Sequence, residues 1–451
     1  MEHTGFISLI PTLVVLLLAL WTRKTFESLL GGALVGFMLH AKWGFFNSFT
    51  DTFLTVMQDV TIGWIILVCG LFGSLIHLLV KSGGTLAFAE WVLTFIHSRT
   101  GSLIATWLLG IIIFIDDYLN ALTIGSSMKK VTDKFRVPRE MLAYVVDSTA
   151  APICVLIPLS TWAIYVSALL VELNVAEPEE GLRAYLQAIP FIVYGWMAVL
   201  VVPLVIMKWI PAMGPMKAAE KRVAEGGPTV PLTYQAKEEM SESFSHTPQL
   251  YLFVLPILVL IGATIFFDID ALKGVMVATV FTVALYIWRK IMNFSEAMEY
   301  VFDGFKHMLY ALAIIVMSFV LKEVNDQLGL TQYIIESVSP WMNKAWLPAI
   351  AFVALSGVTF ATGSFWGVYA ISFPIIIPLA QELDVNMWLA IGAVISAGSF
   401  GSHACFYGDA TVLSASATDC EHMSHERTQL PYALIAGGIA TVRNVVLGSE
   451  V

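Results

Sequence analysis

Two stretches of this chain plant polar residues inside apolar sequence, about 245 residues apart. The first runs Phe114-Ile115-Asp116-Asp117-Tyr118-Leu119-Asn120 and continues at Asp147-Ser148-Thr149-Ala150-Ala151-Pro152; the second runs Ala361-Thr362-Gly363-Ser364-Phe365-Trp366 and continues at Ser396-Ala397-Gly398-Ser399-Phe400-Gly401-Ser402-His403. Carboxylates, hydroxyls and glycines at membrane depth are costly, so they mark an ion or substrate pathway. Asp116 and Asp117 are cation-binding candidates, but adjacent residues cannot share one helix face. One is expected at the site and the other at the start of the returning helix, where a carboxylate is favoured; Asp117 is the expected site residue. Asp147 precedes Pro152 and Pro158 within one apolar run. Proline removes a backbone donor, and the carbonyls and hydroxyls freed there suit a hard cation such as sodium. Asp409 follows the glycine- and serine-rich run and, like Asp147, is a candidate to bind a cation or a proton. His403 is a candidate proton relay near neutral pH. The second tip, Thr362, Ser364 and Trp366, carries no charge and offers hydroxyls and an aromatic ring to a substrate.

The elements that must hold these residues are membrane helices. Over 451 residues the chain is 58% hydrophobic and 13% charged, with a mean hydropathy of +0.79, against roughly 25% charged in a soluble domain. An all-α polytopic membrane protein is expected. Ten crossing segments are predicted, near 7–21, 26–40, 62–80, 141–169, 189–207, 250–267, 272–288, 305–321, 386–413 and 430–447. The segments 102–128 and 346–379, with polar breaks in their middles, read as re-entrant hairpins, which survive only where protein or water lines them. Four scattered cysteines without a C-x-x-C pair support neither disulfides nor a zinc site. The formal charge of -10 is spread over acidic loops and offers no basic face for nucleic acid.

The polar stretch 208–248 divides the chain into a first repeat, 1–207, and a second, 249–451, with the stretch itself as a cytoplasmic linker. Gly32 then pairs with Gly274 and Asp147 with Ser396, offsets of 242 and 249. The loop after the first hairpin carries Lys129, Lys130, Lys134, Arg136 and Arg139, whereas residues 380–386 after the second carry no base. Short cytoplasmic loops are rich in Lys and Arg, so the hairpins enter from opposite sides. Two inverted repeats follow, each of five crossing helices, a re-entrant hairpin and a broken helix, with both termini outside.

The runs Phe114 to Ala121, Asp147 to Pro152 with Ser160-Thr161-Trp162, and Ser399 to His403 with Gly408-Asp409-Ala410-Thr411 resemble the NhaC-type Na+/H+ antiporter family of the ion transporter superfamily. The resemblance implies one sodium site near Asp117, Asn120 and Asp147 and a pseudo-equivalent one near Ser364, Ser396 and Asp409. These flank a substrate site to which Asp117, Asn120, Thr149, Thr362, Ser364, Trp366 and His403 are assigned. The dicarboxylate branch has Ser-Asn-Thr at both tips, which this chain lacks. The expectation is a secondary active transporter, not an enzyme, in a bacterial-type inner membrane. It would exchange Na+ for H+ by alternating access, work as a homodimer in the lipid bilayer, and need no organic cofactor. The alternative is Na+-coupled transport of an amino acid or small organic acid. An intramembrane aspartyl protease needs a paired carboxylate motif that Phe406-Tyr407-Gly408-Asp409 only half resembles.

Overall fold

In lipid, every backbone polar group must be satisfied within the chain, and the helix does this locally. The computed structural model of the protein describes residues 3–22, 24–114, 117–158, 160–177, 180–230, 247–267, 270–341, 343–363 and 365–450, and among these the regular structure is helical throughout, with no strand. Four helices are long and apolar enough to cross a membrane, or up to seven if each bent pair is one span. The chain is therefore a multi-pass helical membrane protein.

The first series of helices is α1 (Ile10–Thr22), α2 (Thr25–Ala41), α3 (Phe45–Gln58), α4 (Val60–Lys81), α5 (Gly84–Val92), α6 (Arg99–Ile112), α7 (Asp117–Lys134), α8 (Arg139–Asp147), α9 (Ala151–Cys154), α10 (Thr161–Glu172), α11 (Gly181–Ala188) and α12 (Val193–Ile206). A linker helix, α13 (Gly214–Ala224), follows. The second series is α14 (Tyr251–Phe266), α15 (Ala271–Trp288), α16 (Phe294–His307), α17 (Leu309–Gln327), α18 (Leu330–Val338), α19 (Leu347–Thr362), α20 (Phe365–Glu382), α21 (Met387–Ala404), α22 (Asp409–Ala417) and α23 (His422–Glu450).

Each of the ten expected crossing segments contains a helix, but several are interrupted. Residues 141–169 form α8, α9 and α10, because Pro152 opens a new helix at Ala151 and Ser160 opens another at Thr161. Ser160 spans that second gap: its hydroxyl donates to the Cys154 carbonyl at 2.5 Å and accepts from Ala163 N at 3.1 Å. Residues 386–413 form α21 and α22, bent by 42° across an extended Cys405. The 189–207 segment begins as a 3-10 turn at Ile189–Phe191 and continues α11 at a 55° bend. The last helix begins at His422, eight residues before the apolar run at 430 suggested.

Several packing arrangements occur in both series. α1 lies on α2 as α14 lies on α15; α4 packs on α15 and α16 while α17 packs on α2 and α3; α8 packs on α23 while α21 packs on α12. The thiols of Cys154 and Cys405, each at the break of its segment, reach the Phe114 and Phe360 carbonyls at 3.2 and 3.1 Å. Each thiol so ties a break to the end of the first helix of the preceding pair, α6 or α19. Where α4 crosses α16, a Cβ on Gly304 would stand 2.4 Å from the Gly73 carbonyl oxygen. Such small-residue crossings let backbones approach where lipid gives no hydrophobic drive between helices. Across the halves, Trp162 stacks on Phe365 with centroids 3.4 Å apart.

The polar stretch 208–248 reads as a linker, and its helix α13 docks against α8 and α23. Arg222 grips Glu140 bidentately, Nη1 to Oε1 and Nη2 to Oε2 at 2.8 Å each, and Arg99 pairs with Glu220. Arg136 donates to the Val223 and Gly227 carbonyls at 3.1 and 2.8 Å. Arg136, in the loop after α7, therefore helps hold the linker in place.

Candidate functional site

The breaks place two buried polar centres. The first surrounds Asp147, the last residue of α8, which is fully buried. Its Oδ2 accepts from the Gln429 amide nitrogen at 2.5 Å and lies 3.2 Å from His425 Nε2. The same Gln429 nitrogen donates to the His403 carbonyl at 2.6 Å. The His403 ring is held at both nitrogens, Nε2 3.1 Å from the Ser148 hydroxyl and Nδ1 2.6 Å from the Tyr194 hydroxyl. Tyr194 stands in the first turn of α12, and its otherwise unpaired N–H donates to Ser396 Oγ at 3.3 Å. One continuous network so joins α8, α12, α21 and α23, and Asp147, Ser396 and His403 all belong to it.

The second centre lies across the α21–α22 break. Asp409 opens α22; one carboxylate oxygen accepts from Ala410 N at 2.8 Å and the other from the Tyr118 hydroxyl. Asp117, next to Tyr118, is the first residue of α7 and is buried, an arrangement the helix dipole favours for an acid. The Tyr118 ring is flanked by Trp64, with centroids 6.1 Å apart.

Asn120, which the resemblance put near a sodium site, makes structural contacts in the fold. Its amide nitrogen lies 2.7–2.8 Å from three carbonyls, those of Gly110, Ile113 and Thr149. A helix leaves its last carbonyls without intrahelical partners, so Asn120 caps the end of α6 and ties it to the turn after Asp147, leaving its own Oδ1 without a partner. The Thr149 hydroxyl returns to the Val145 and Val146 carbonyls at 2.9 and 3.1 Å. At the second tip, Gly363 takes a left-handed φ of +69° to end α19, and the Tyr407 ring presses against it. Tyr407 donates to the Ala361 carbonyl at 2.8 Å, and Thr362 donates to the Thr359 carbonyl at 3.4 Å. Asp116, Ser364 and the Trp366 side chain lie outside the described residues.

His425, Gln429, Tyr194 and the buried Glu426 are absent from the sequence reading, and Tyr118 is quoted there in its run without a role of its own. The polar run His422 to Gln429 reads as a loop, although His422, His425, Glu426 and Gln429 recur at the 3–4-residue interval of one helix face, the available signal. Among the described residues no group of three or more His, Cys, Asp or Glu side chains is placed to hold a metal ion. The chemistry on offer is therefore that of single carboxylates among amides, hydroxyls, imidazoles and broken-helix carbonyls, which suits protons and weakly held monovalent cations.

The family model of the Na+/H+ antiporter family matches residues 172–449, from the end of α10 through α23. An uncharacterised protein of Haemophilus influenzae is 27% identical over 481 aligned positions, which cover 98% of this chain and 90% of that protein. The chain belongs to the Na+/H+ antiporter family. It is by membership a cation/proton transporter rather than an enzyme, with Na+ or H+ as the coupling ions of the family.

Proposed function

We propose that this member of the Na+/H+ antiporter family exchanges sodium for protons across a bacterial inner membrane by alternating access, with Asp147 as a carboxylate that carries either ion. The observation that supports this most is the Asp147 network itself. A fully buried carboxylate accepts from Gln429 and His425 through one oxygen and keeps the other, Oδ1, without a partner. A buried acid arranged so is neutral with a proton or neutralised by a cation, since a bare charge there is expensive. Competition of the two ions for one carboxylate is sufficient for exchange. Asp409, held by the Tyr118 hydroxyl and by Ala410 N, is the second carboxylate of this reading.

The same reading takes residues 1–207 and 249–451 as inverted repeats of an NhaC-type transporter, with α6–α7 and α19–α20 as re-entrant hairpins. The exchange of packing partners between the two series supports it, because α4 on α15 is answered by α17 on α2. The termini are then outside, the linker is cytoplasmic, and the scaffold helices α2 and α15 are the surfaces of a homodimer. The test is Asp147→Asn in proteoliposomes carrying a pH-sensitive dye. An imposed sodium gradient should move protons through the parent and leave the variant at the protein-free rate. A variant that exchanges like the parent would remove Asp147 from the mechanism.

A further inference from the structure

Glu426 is a buried acid that neither centre uses and that, unlike Glu140, has no basic partner among the described residues. It is fully buried on α23, and neither carboxylate oxygen has a hydrogen-bond partner. Its direction follows from its neighbours on the same helix face. His422, four residues before it, places Nε2 2.6 Å from the Phe406 carbonyl oxygen, and Gln429, three residues after it, donates to the His403 carbonyl at 2.6 Å. Glu426 stands between them and so faces the chain between His403 and Phe406, where α21 ends. Asp147 and Cys405 are the ionisable groups within electrostatic reach of it from the packed elements.

Two features of that place favour a positive ion. α21 ends there, so the negative end of its dipole lies at this place, and its Ser402 and His403 carbonyls, which accept from Thr411 and Gln429, each keep a second lone pair. The Gln429 amide oxygen beside it is also buried and without a partner. A charged acid without a counter-charge is costly in such surroundings, and among the described residues no hydrogen bond or ion pair compensates it.

We propose that Glu426 is a cation-binding residue of the transport pathway: its carboxylate, with the Gln429 amide oxygen and the carbonyls at the end of α21, takes a monovalent cation between the Asp147 and Asp409 centres. The inference rests on the exchange reading above and adds to it a binding residue on the last helix.

The test measures thermal unfolding of the purified full-length protein in detergent, titrated with sodium chloride against choline chloride, alongside proton movement in vesicles. Glu426→Gln keeps the shape and removes the charge. It should fold at least as stably as the parent without sodium, and should raise the sodium concentration for half-maximal stabilisation by roughly tenfold or more. Should that variant not fold, Glu426→Asp draws the charge back by one methylene and should shift the same midpoint. A parent that moves protons on a sodium gradient, with a folded variant that keeps the parent's sodium midpoint, overturns this inference and leaves the exchange reading standing. A parent that neither moves protons nor is stabilised by sodium, lithium or potassium overturns both.

Discussion

Replacing Arg222 with alanine removes two charge-assisted bonds of 2.8 Å from Glu140, whose side chain is 3% exposed, against 17% for Arg222. Leaving one charge of a buried pair without its partner costs about 3–5 kcal/mol, and the partial exposure of the arginine puts this pair near the lower figure, about 3 kcal/mol. That is about a 150-fold increase in the opening constant of the docked linker helix. The reverse removal is milder. In Glu140→Gln the guanidinium keeps its bonds to the Pro228 and Thr229 carbonyls at 3.0 and 3.2 Å, so the cost is about 1–1.5 kcal/mol. The double variant has no stranded carboxylate and should be less perturbed than Arg222→Ala alone, a coupling of about 2 kcal/mol. Hydrogen exchange of the amides of 214–224 in detergent micelles reads this local opening directly. If Arg222→Ala leaves those amides protected within about threefold of the parent, or if the two single effects simply add, the pair does not hold the linker.

The linker should also respond to pH through Glu220. Burial pushes its carboxyl up, and the nearby Arg99 opposes this without cancelling it. A raised folded value means that this group's contribution is fully present below the ordinary glutamate range and is lost as pH rises through the raised value. Exchange protection of 214–224 should therefore fall over that window in the parent and less so in Glu220→Gln. At the α4–α16 crossing, Gly304→Ala would put a Cβ 2.4 Å from the Gly73 oxygen and 2.5 Å from Ser74 Cα, both backbone atoms that cannot swing aside. The helices must separate, endangering the 2.7 Å bond from Ser74 Oγ to the Val301 carbonyl. A loss of about 2 kcal/mol or more is expected, seen as reduced folded yield on size exclusion, whereas Gly357→Ala, with nothing within 4 Å, should behave as the parent.

Much of the architecture was legible because membrane insertion is governed by local composition. Apolar runs placed a helix in every expected segment and Pro152 located one break, but the serine-glycine run 396–402, whose composition favours unwound backbone, is helical within α21, and the break falls after it at 405–408. The site was legible as positions but not as partnerships. Asp147 was expected beside Asp117 and Asn120, yet its bonded partners are His425 and Gln429, 278 and 282 residues away. The stretch His422 to Gln429 reads as a loop because its residues are polar, and a polar helix is stable only where other helices bury and satisfy it. The family resemblance put Asn120 near a sodium site; its amide nitrogen lies beside the Gly110, Ile113 and Thr149 carbonyls, contacts set by the close approach of α6 and the turn at Thr149.

The sequence by itself determined a polytopic helical protein with paired polar breaks, since hydropathy and proline act over a few residues without reference to the rest of the chain. Only the tertiary structure decided which breaks meet. It set α23 against α8 and α21, turned one face of that helix inward, and so surrounded Asp147 with an amide and imidazoles and left Glu426 facing the end of α21. Those contacts depend on packing between helices far apart in the chain, for which no local pattern carries the information.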